Sequence, residues 1–108
     1  MRILTASEQR LAFRFARVPL PEDAIACDPW SEHGEDDWRR YFLIREWQAA
    51  DIWVEVAGEQ DHHGQVTRWV HVDGEGQCDA TQRVQLIEAI TEAGQLYELL
   101  AAHSNPGD

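Results

Sequence analysis

Lysine is absent from the 108 residues, and all nine bases are arginine. That bias is the mark of a GC-rich genome, bacterial or phage, in which arginine codons displace lysine codons. Against nine bases stand 20 acids, for a net charge of −11. Direct binding to DNA, to RNA or to an anionic membrane is not expected, because polyanions are held by basic patches that release counterions. A protein partner with a basic face is the electrostatic complement of such a chain. Solubility alone is the commoner reason for an acidic balance.

Cysteine is scarce: Cys27 and Cys78 stand 51 positions apart and form no CxxC pair. No secretory pattern opens at Met1-Arg2-Ile3-Leu4. No apolar run approaches the roughly 20 residues that span a bilayer. Reduced thiols in a cytoplasmic setting are therefore expected.

Catalytic signatures are missing as well. There is no GxSxG, no HExxH and no P-loop, and Gly74-Glu75-Gly76 is too short to cradle a phosphate. With 20 carboxylates some pair must lie close, so proximity alone would mean little. Acid–base catalysis needs a concave site, which a small sheet under one or two helices offers poorly. No catalytic residue and no cofactor are expected. Cys27, His33, His62, His63, His71 and Cys78 could ligate zinc, but the spacings C-x5-H and H-x6-C match no zinc pattern. The sequence does not say whether Cys27, His33, His71 and Cys78 meet, so a small zinc-binding protein stays as an alternative.

What is present is enough for one modest core: 44% hydrophobic residues with five tryptophans, in a length that fits a single domain over 1–108. Charge falls in blocks. Residues 1–20 carry +3 and residues 21–38 carry −7 with no base; residues 39–72 carry −1 and residues 73–108 carry −6.

Thr5 with Glu8 forms a capping box, and Leu11, Phe15 and Val18 follow at helical spacing, predicting a helix over 5–18. The same stretch also alternates with period two, as a strand would, through Leu11, Phe13 and Phe15. We favour the helix. Pro19 and Pro21 end it either way. Residues 19–37 read as an acidic loop pinned to the core by Trp30.

Three strands are expected next, over 41–47, 52–56 and 66–72. Ile52, Val54 and Val56 must share a face with Val72, Val70 and Arg68, which needs an odd number of loop residues. That register puts Trp53, Glu55, Trp69 and His71 together on the other face. Asp79 and Gln82 cap a final helix over 80–102 with an apolar stripe through Val84, Ile87, Ile90, Ala93, Gly94, Tyr97 and Ala101. Gly94 suggests close approach of this helix to the sheet. Residues 103–108 read as a frayed tail. The expected fold is α+β: a three-stranded antiparallel sheet packed by a long C-terminal helix, with an N-terminal helix beside it.

The segment Trp69-Val70-His71-Val72-Asp73-Gly74-Glu75-Gly76, followed by a capped Ala- and Leu-rich helix, is similar to the end of small uncharacterised acidic proteins of GC-rich bacteria and their phages. In type, though not in motif, such a chain resembles phage-encoded inhibitors, including anti-CRISPR and other DNA-mimic proteins. No functional residue is carried over from that resemblance.

A non-enzymatic inhibitor or modulator that engages a basic surface of a nucleic-acid-handling protein is the expected function. The expected contact residues are Glu32, Glu35, Asp36 and Asp37 of the acidic loop with Trp30, and Trp53 and Trp69. The two latter serve only if the N-terminal helix leaves their face open; if it covers them, they are core. A homodimer that pairs open sheet edges or buries the tryptophan face is the alternative from a different class.

Overall fold

The computed structural model describes residues 5–103, without the side chains of Leu11, Ala12 and His103. Met1 to Leu4, and the expected tail beyond His103, lie outside the described residues. The elements run α1 (Ala6–Arg14), β1 (Ala26–Cys27), β2 (Ser31–Gly34), β3 (Asp37–Ala49), β4 (Ile52–Asp61), β5 (Val66–Gly74) and α2 (Ala80–His103). The fold is α+β with an antiparallel sheet, but the sheet has five strands and not three. Residues 19–37 account for the difference. Instead of a loop they form two short strands, both hydrogen-bonded to the same edge of β3: Ala26 and Cys27 lie opposite Leu43 and Phe42, and Ser31 and Glu32 lie opposite Arg39 and Trp38. The other edge of β3 carries β4, and β5 closes the order as a free edge among the described residues.

The β4–β5 register is the one the alternation requires. Val54 faces Val72, Val56 faces Val70 and Gly58 faces Arg68, across a connection from Asp61 to Gln65. In β3 a bulge between Leu43 and Arg45 flips the alternation, so Trp47 joins Val54 on the core side. Phe42, Val54 and Val56 are fully buried there, and Ala89 and Ala93 of α2 pack onto them. Each of these three large side chains supplies about 1.5–3 kcal/mol by leaving water.

α2 and the stretch after α1 both cover this one face of the sheet. α2 covers the half around Val54 and Val56. The stretch after α1 covers the other half. Phe15 is buried against Trp30, with ring centroids 4.9 Å apart, and lies 6.0 Å from Trp38 and 5.6 Å from His62. Polar groups tie this half down. Arg40 donates to the Gln60 side-chain oxygen at 2.8 Å and to the Val18 carbonyl at 3.1 Å, and the buried Gln60 amide donates to the Pro19 carbonyl at 2.8 Å.

α1 is shorter than the expected 5–18 helix, but its N-cap is formed: the Glu8 amide donates to Thr5 Oγ1 at 3.1 Å. The capping box on α2 is reciprocal. The Gln82 amide donates to Asp79 Oδ1 at 2.8 Å, and the Asp79 amide donates to Gln82 Oε1 at 3.0 Å. Asp79→Ala should lower the unfolding free energy by about 1 kcal/mol, read from the urea midpoint. A change too small to resolve would mean that this helix end does not belong to the cooperative unit.

Gly94 departs from expectation. A Cβ built on it meets nothing within 4 Å, so the glycine does not serve an approach of α2 to its own sheet. In a helix interior it costs about 1 kcal/mol relative to alanine.

Candidate protein-binding face

Because α2 and the stretch after α1 pack on one side of the sheet, the other side carries no helix around Trp53 and Trp69; at its far end Glu8 of α1 borders a concavity with Tyr41 and Glu59. Side chains alternate along a strand, so this open face takes the odd positions of β5 and β4: Thr67, Trp69, His71 and Asp73 beside Trp53, Glu55, Ala57 and Glu59. β3 adds Tyr41 and Leu43 before its bulge and Glu46 and Gln48 after it. Trp53 is 41% exposed and Trp69 is half-buried. The Trp69 ring centroid lies 6.3 Å from that of Tyr41, and Ala57 between these strands is fully buried beneath the neighbouring side chains.

Carboxylates crowd the aromatic patch. Glu46 and Glu55 are direct cross-strand partners, and Asp73 is the partner of Trp53. Like charges directly opposite one another destabilise a sheet. Glu55 also accepts a 3.0 Å hydrogen bond from the Tyr41 hydroxyl. Burial first, and then the Glu55 carboxylate as hydrogen-bond partner and neighbouring charge, push the Tyr41 phenol well above its ordinary value of 10.0.

The residues singled out from the sequence divide between separate places. Trp53 and Trp69 share the open face with Glu55 and His71, as the alternation requires. Trp30 is 6% exposed and packed against Phe15, with the Arg40 guanidinium 4.4 Å from its ring centroid. It anchors the segment, and as a partner contact it is corrected. Glu35 and Asp36 form the exposed two-residue turn between Gly34 and Asp37, with Asp36 left-handed at φ 56°. Glu32 is exposed, and its cross-strand partner Trp38 belongs to the opposite, covered side of the sheet. Asp37 is already engaged: Arg39 donates to both its oxygens at 2.8 Å and to Glu59 at 3.0 Å. The Arg39 hydrogen bonds hold the Asp37 carboxyl below the usual range. Eleven residues of β3, about 35 Å of strand, separate this acidic turn from Gln48 beside Trp53, so the acids and the tryptophans do not make one site.

Tyr41, Glu46 and Asp73 were not singled out from the sequence. Asp73 was legible as the next odd position after Trp69 and His71. Glu46 was not, because the bulge that turns it onto this face has no marker in Leu43-Ile44-Arg45.

Comparisons with protein-family models, with curated proteins and with solved structures find no match. The chemistry of the residues is thus the guide to function.

A second concavity, of about 600 Å³, opens on the covered side, lined by Phe15, Leu20, Cys27, Trp30 and Arg40 among others. Burial raises the Cys27 thiol above its ordinary value of 9.0, only partly offset by the Arg40 charge. Its thiolate is disfavoured, which suits packing better than nucleophilic chemistry. Among the described residues, no three His, Cys, Asp or Glu side chains converge as a metal would need, and no helix is long and apolar enough to cross a membrane.

Tyr41 and Cys27 both carry raised values in the fold, so the folded state holds its protons more tightly than the unfolded chain. Their contribution is full below the ordinary values of 9.0 and 10.0 and is lost as pH rises through the folded ones. The urea midpoint should therefore decline between about pH 9 and 12, and Tyr41→Phe should flatten most of that decline. A midpoint constant over this range would contradict the burial of both groups.

Proposed function

We propose that the chain is a non-enzymatic binding protein that engages a basic surface of a protein partner through the open face of its sheet. Trp53, Trp69 and Tyr41 form the contact core, and Glu46, Glu55 and Asp73 form the charged surround. The observation that carries this proposal is the direct opposition of Glu46 and Glu55 on an uncovered aromatic face. The like-charge pair weakens the free protein. An arginine or lysine placed between the two carboxylates relieves that repulsion and also stacks on the neighbouring indoles. Aromatic anchors inside a polar surround are the usual composition of an interface centre. The net charge of −11 favours a partner of opposite sign, such as the nucleic-acid-binding face of a nucleic-acid-handling enzyme, which the chain would then block.

The test compares capture from the native host's lysate by the immobilised wild type and by two variants, Glu46→Arg/Asp73→Arg and Trp53→Ala/Trp69→Ala. Glu46 and Asp73 are exposed, so folding should survive their reversal. The expected result is one basic protein retained at low salt, released as salt rises, and lost from both variants. Glu46→Gln alone should weaken capture and yet raise the thermal midpoint, because a like-charge pair disappears. Retention that survives both double variants would overturn the proposed face.

A further inference from the structure

A second, independent surface lies on the covered side of the sheet, where α2 and β5 leave apolar side chains in water. With 100° per residue, Ile87, Ile90, Gly94 and Ala101 fall on one flank of α2, turned about 100–160° from the buried Ala89. The opposite flank looks toward β3, because Glu92 accepts a hydrogen bond from Trp47 Nε1 at 2.9 Å. The Ile87 flank therefore looks toward β5, the free edge. Ile87 is 57% exposed, Ile90 42%, and on the same side of the sheet Val72 of β5 is 48% exposed. Ala89 and Ala93 share their core with Val54 and Val56, whose β5 partners are Val72 and Val70. Helix flank and strand edge thus stand side by side at the same level.

We propose that this surface is covered by a second copy of the chain, related by a two-fold axis along the sheet normal. Such an axis sets β5 antiparallel to its copy and, at once, α2 antiparallel to its copy. The self-complementarity of the flank supports this occupant. With α2 crossing its copy between Ile90 and Thr91, Ile87 faces the partner's Gly94, and Arg83 faces the partner's Glu98. Gly94 offers room there, since nothing lies within 4 Å of a Cβ built on it. Arg83 is the one base in residues 73–108, and both it and Glu98 are exposed. The flank is charge-balanced in a chain whose net charge would otherwise hold two copies apart. The edge strand agrees. With β5 pairing its copy about Val70, Trp69 faces the partner's His71, Thr67 faces the partner's Asp73, and no like charges meet. β5 also carries no proline, one device that natural edges use to prevent pairing.

The full chain should sediment as a dimer at micromolar concentration. Gly94→Leu fills the gap that would receive the partner's Ile87 and replaces a poor helix former, so it should give a monomer with an unchanged or higher thermal midpoint. Arg83→Glu should weaken the dimer about tenfold or more, and Arg83→Glu/Glu98→Arg should restore it, because the pairing is reciprocal. A wild type that stays monomeric at 100-fold higher concentration overturns the proposal. So does a dimer that persists in Gly94→Leu, or one that dissociates only in Trp53→Ala/Trp69→Ala. The last outcome would place self-association on the open face, whereas loss of partner capture with the dimer intact would count against the proposed function alone.

Discussion

Gly58→Ala is expected to lower the unfolding free energy by about 3 kcal/mol, near the upper end for overpacking a core. A Cβ at this position would stand 2.5 Å from Cζ of Phe42, 2.9 Å from its Cε1, and 2.5 Å from the carbonyl oxygen of Thr67. Neither neighbour yields easily. Phe42 is fully buried, and the Thr67 carbonyl belongs to the adjoining strand. The three strands meet here in one row, Phe42 opposite Gly58 and Gly58 opposite Arg68, with the Arg68 guanidinium 5.9 Å from the Phe42 ring centroid. Glycine in a strand is usually a weakness, but here it is the space into which a phenyl ring lies down. The urea midpoint of Gly58→Ala should fall with little change of slope. Combining it with Phe42→Leu should cost less than the sum of the two single changes, since the ring tip is one of the two obstacles. The rescue should be partial, because the carbonyl remains. A single substitution that shifts stability by less than about 0.5 kcal/mol would show that β4 and β5 separate locally without penalty.

How much of this was legible in the sequence depends on which physical signal each element carries. α2 was legible almost to the residue, because a capping box and a long 3.6-period stripe are local signals. The pairing of β4 with β5 was legible because alternation fixes register wherever one face is buried. β1 and β2 were not. Ala26-Cys27 and Ser31-Glu32-His33-Gly34 have no apolar alternation, and they are strands only because the long edge of β3 offers unpaired backbone groups. Tertiary hydrogen bonding overrides propensity in that stretch. The turn from β3 to β4 was equally silent. Ala50 stands there in a left-handed conformation, φ 55°, with neither the glycine nor the asparagine that would announce it. At the candidate site the aromatic pair was legible from period two, and whether a helix covered it was not. Composition could count the acids of residues 21–38, but it could not tell a solvated turn at Glu35-Asp36 from a carboxylate folded inward.

Asp23 is that inward carboxylate. Asp23→Ala is expected to cost about 2–3 kcal/mol, far more than losing an exposed acid. Arg68 of β5 donates to it twice, from Nε at 3.0 Å and from Nη2 at 3.1 Å, and the two side chains are only 16% and 19% exposed. Removing the carboxylate leaves a largely desolvated guanidinium beside the Phe42 ring without its bidentate partner. The full cost of breaking a buried pair, about 3–5 kcal/mol, is reduced because some water reaches this one. The contribution is the pairing and not the charge itself. Asp23→Ala/Arg68→Met should therefore recover much of the loss, since no uncompensated charge remains and the methionine keeps an apolar stem over Phe42. Salt should weaken the wild-type pair little, because screening acts mainly on exposed charges. If the double variant is as unstable as Asp23→Ala alone, the Arg68 stem and its packing on Phe42 hold the segment around Asp23 to β5, and the ion pair is incidental. If it recovers, this acid of the most acidic stretch of the chain is there to neutralise an arginine of the sheet and not to face a partner.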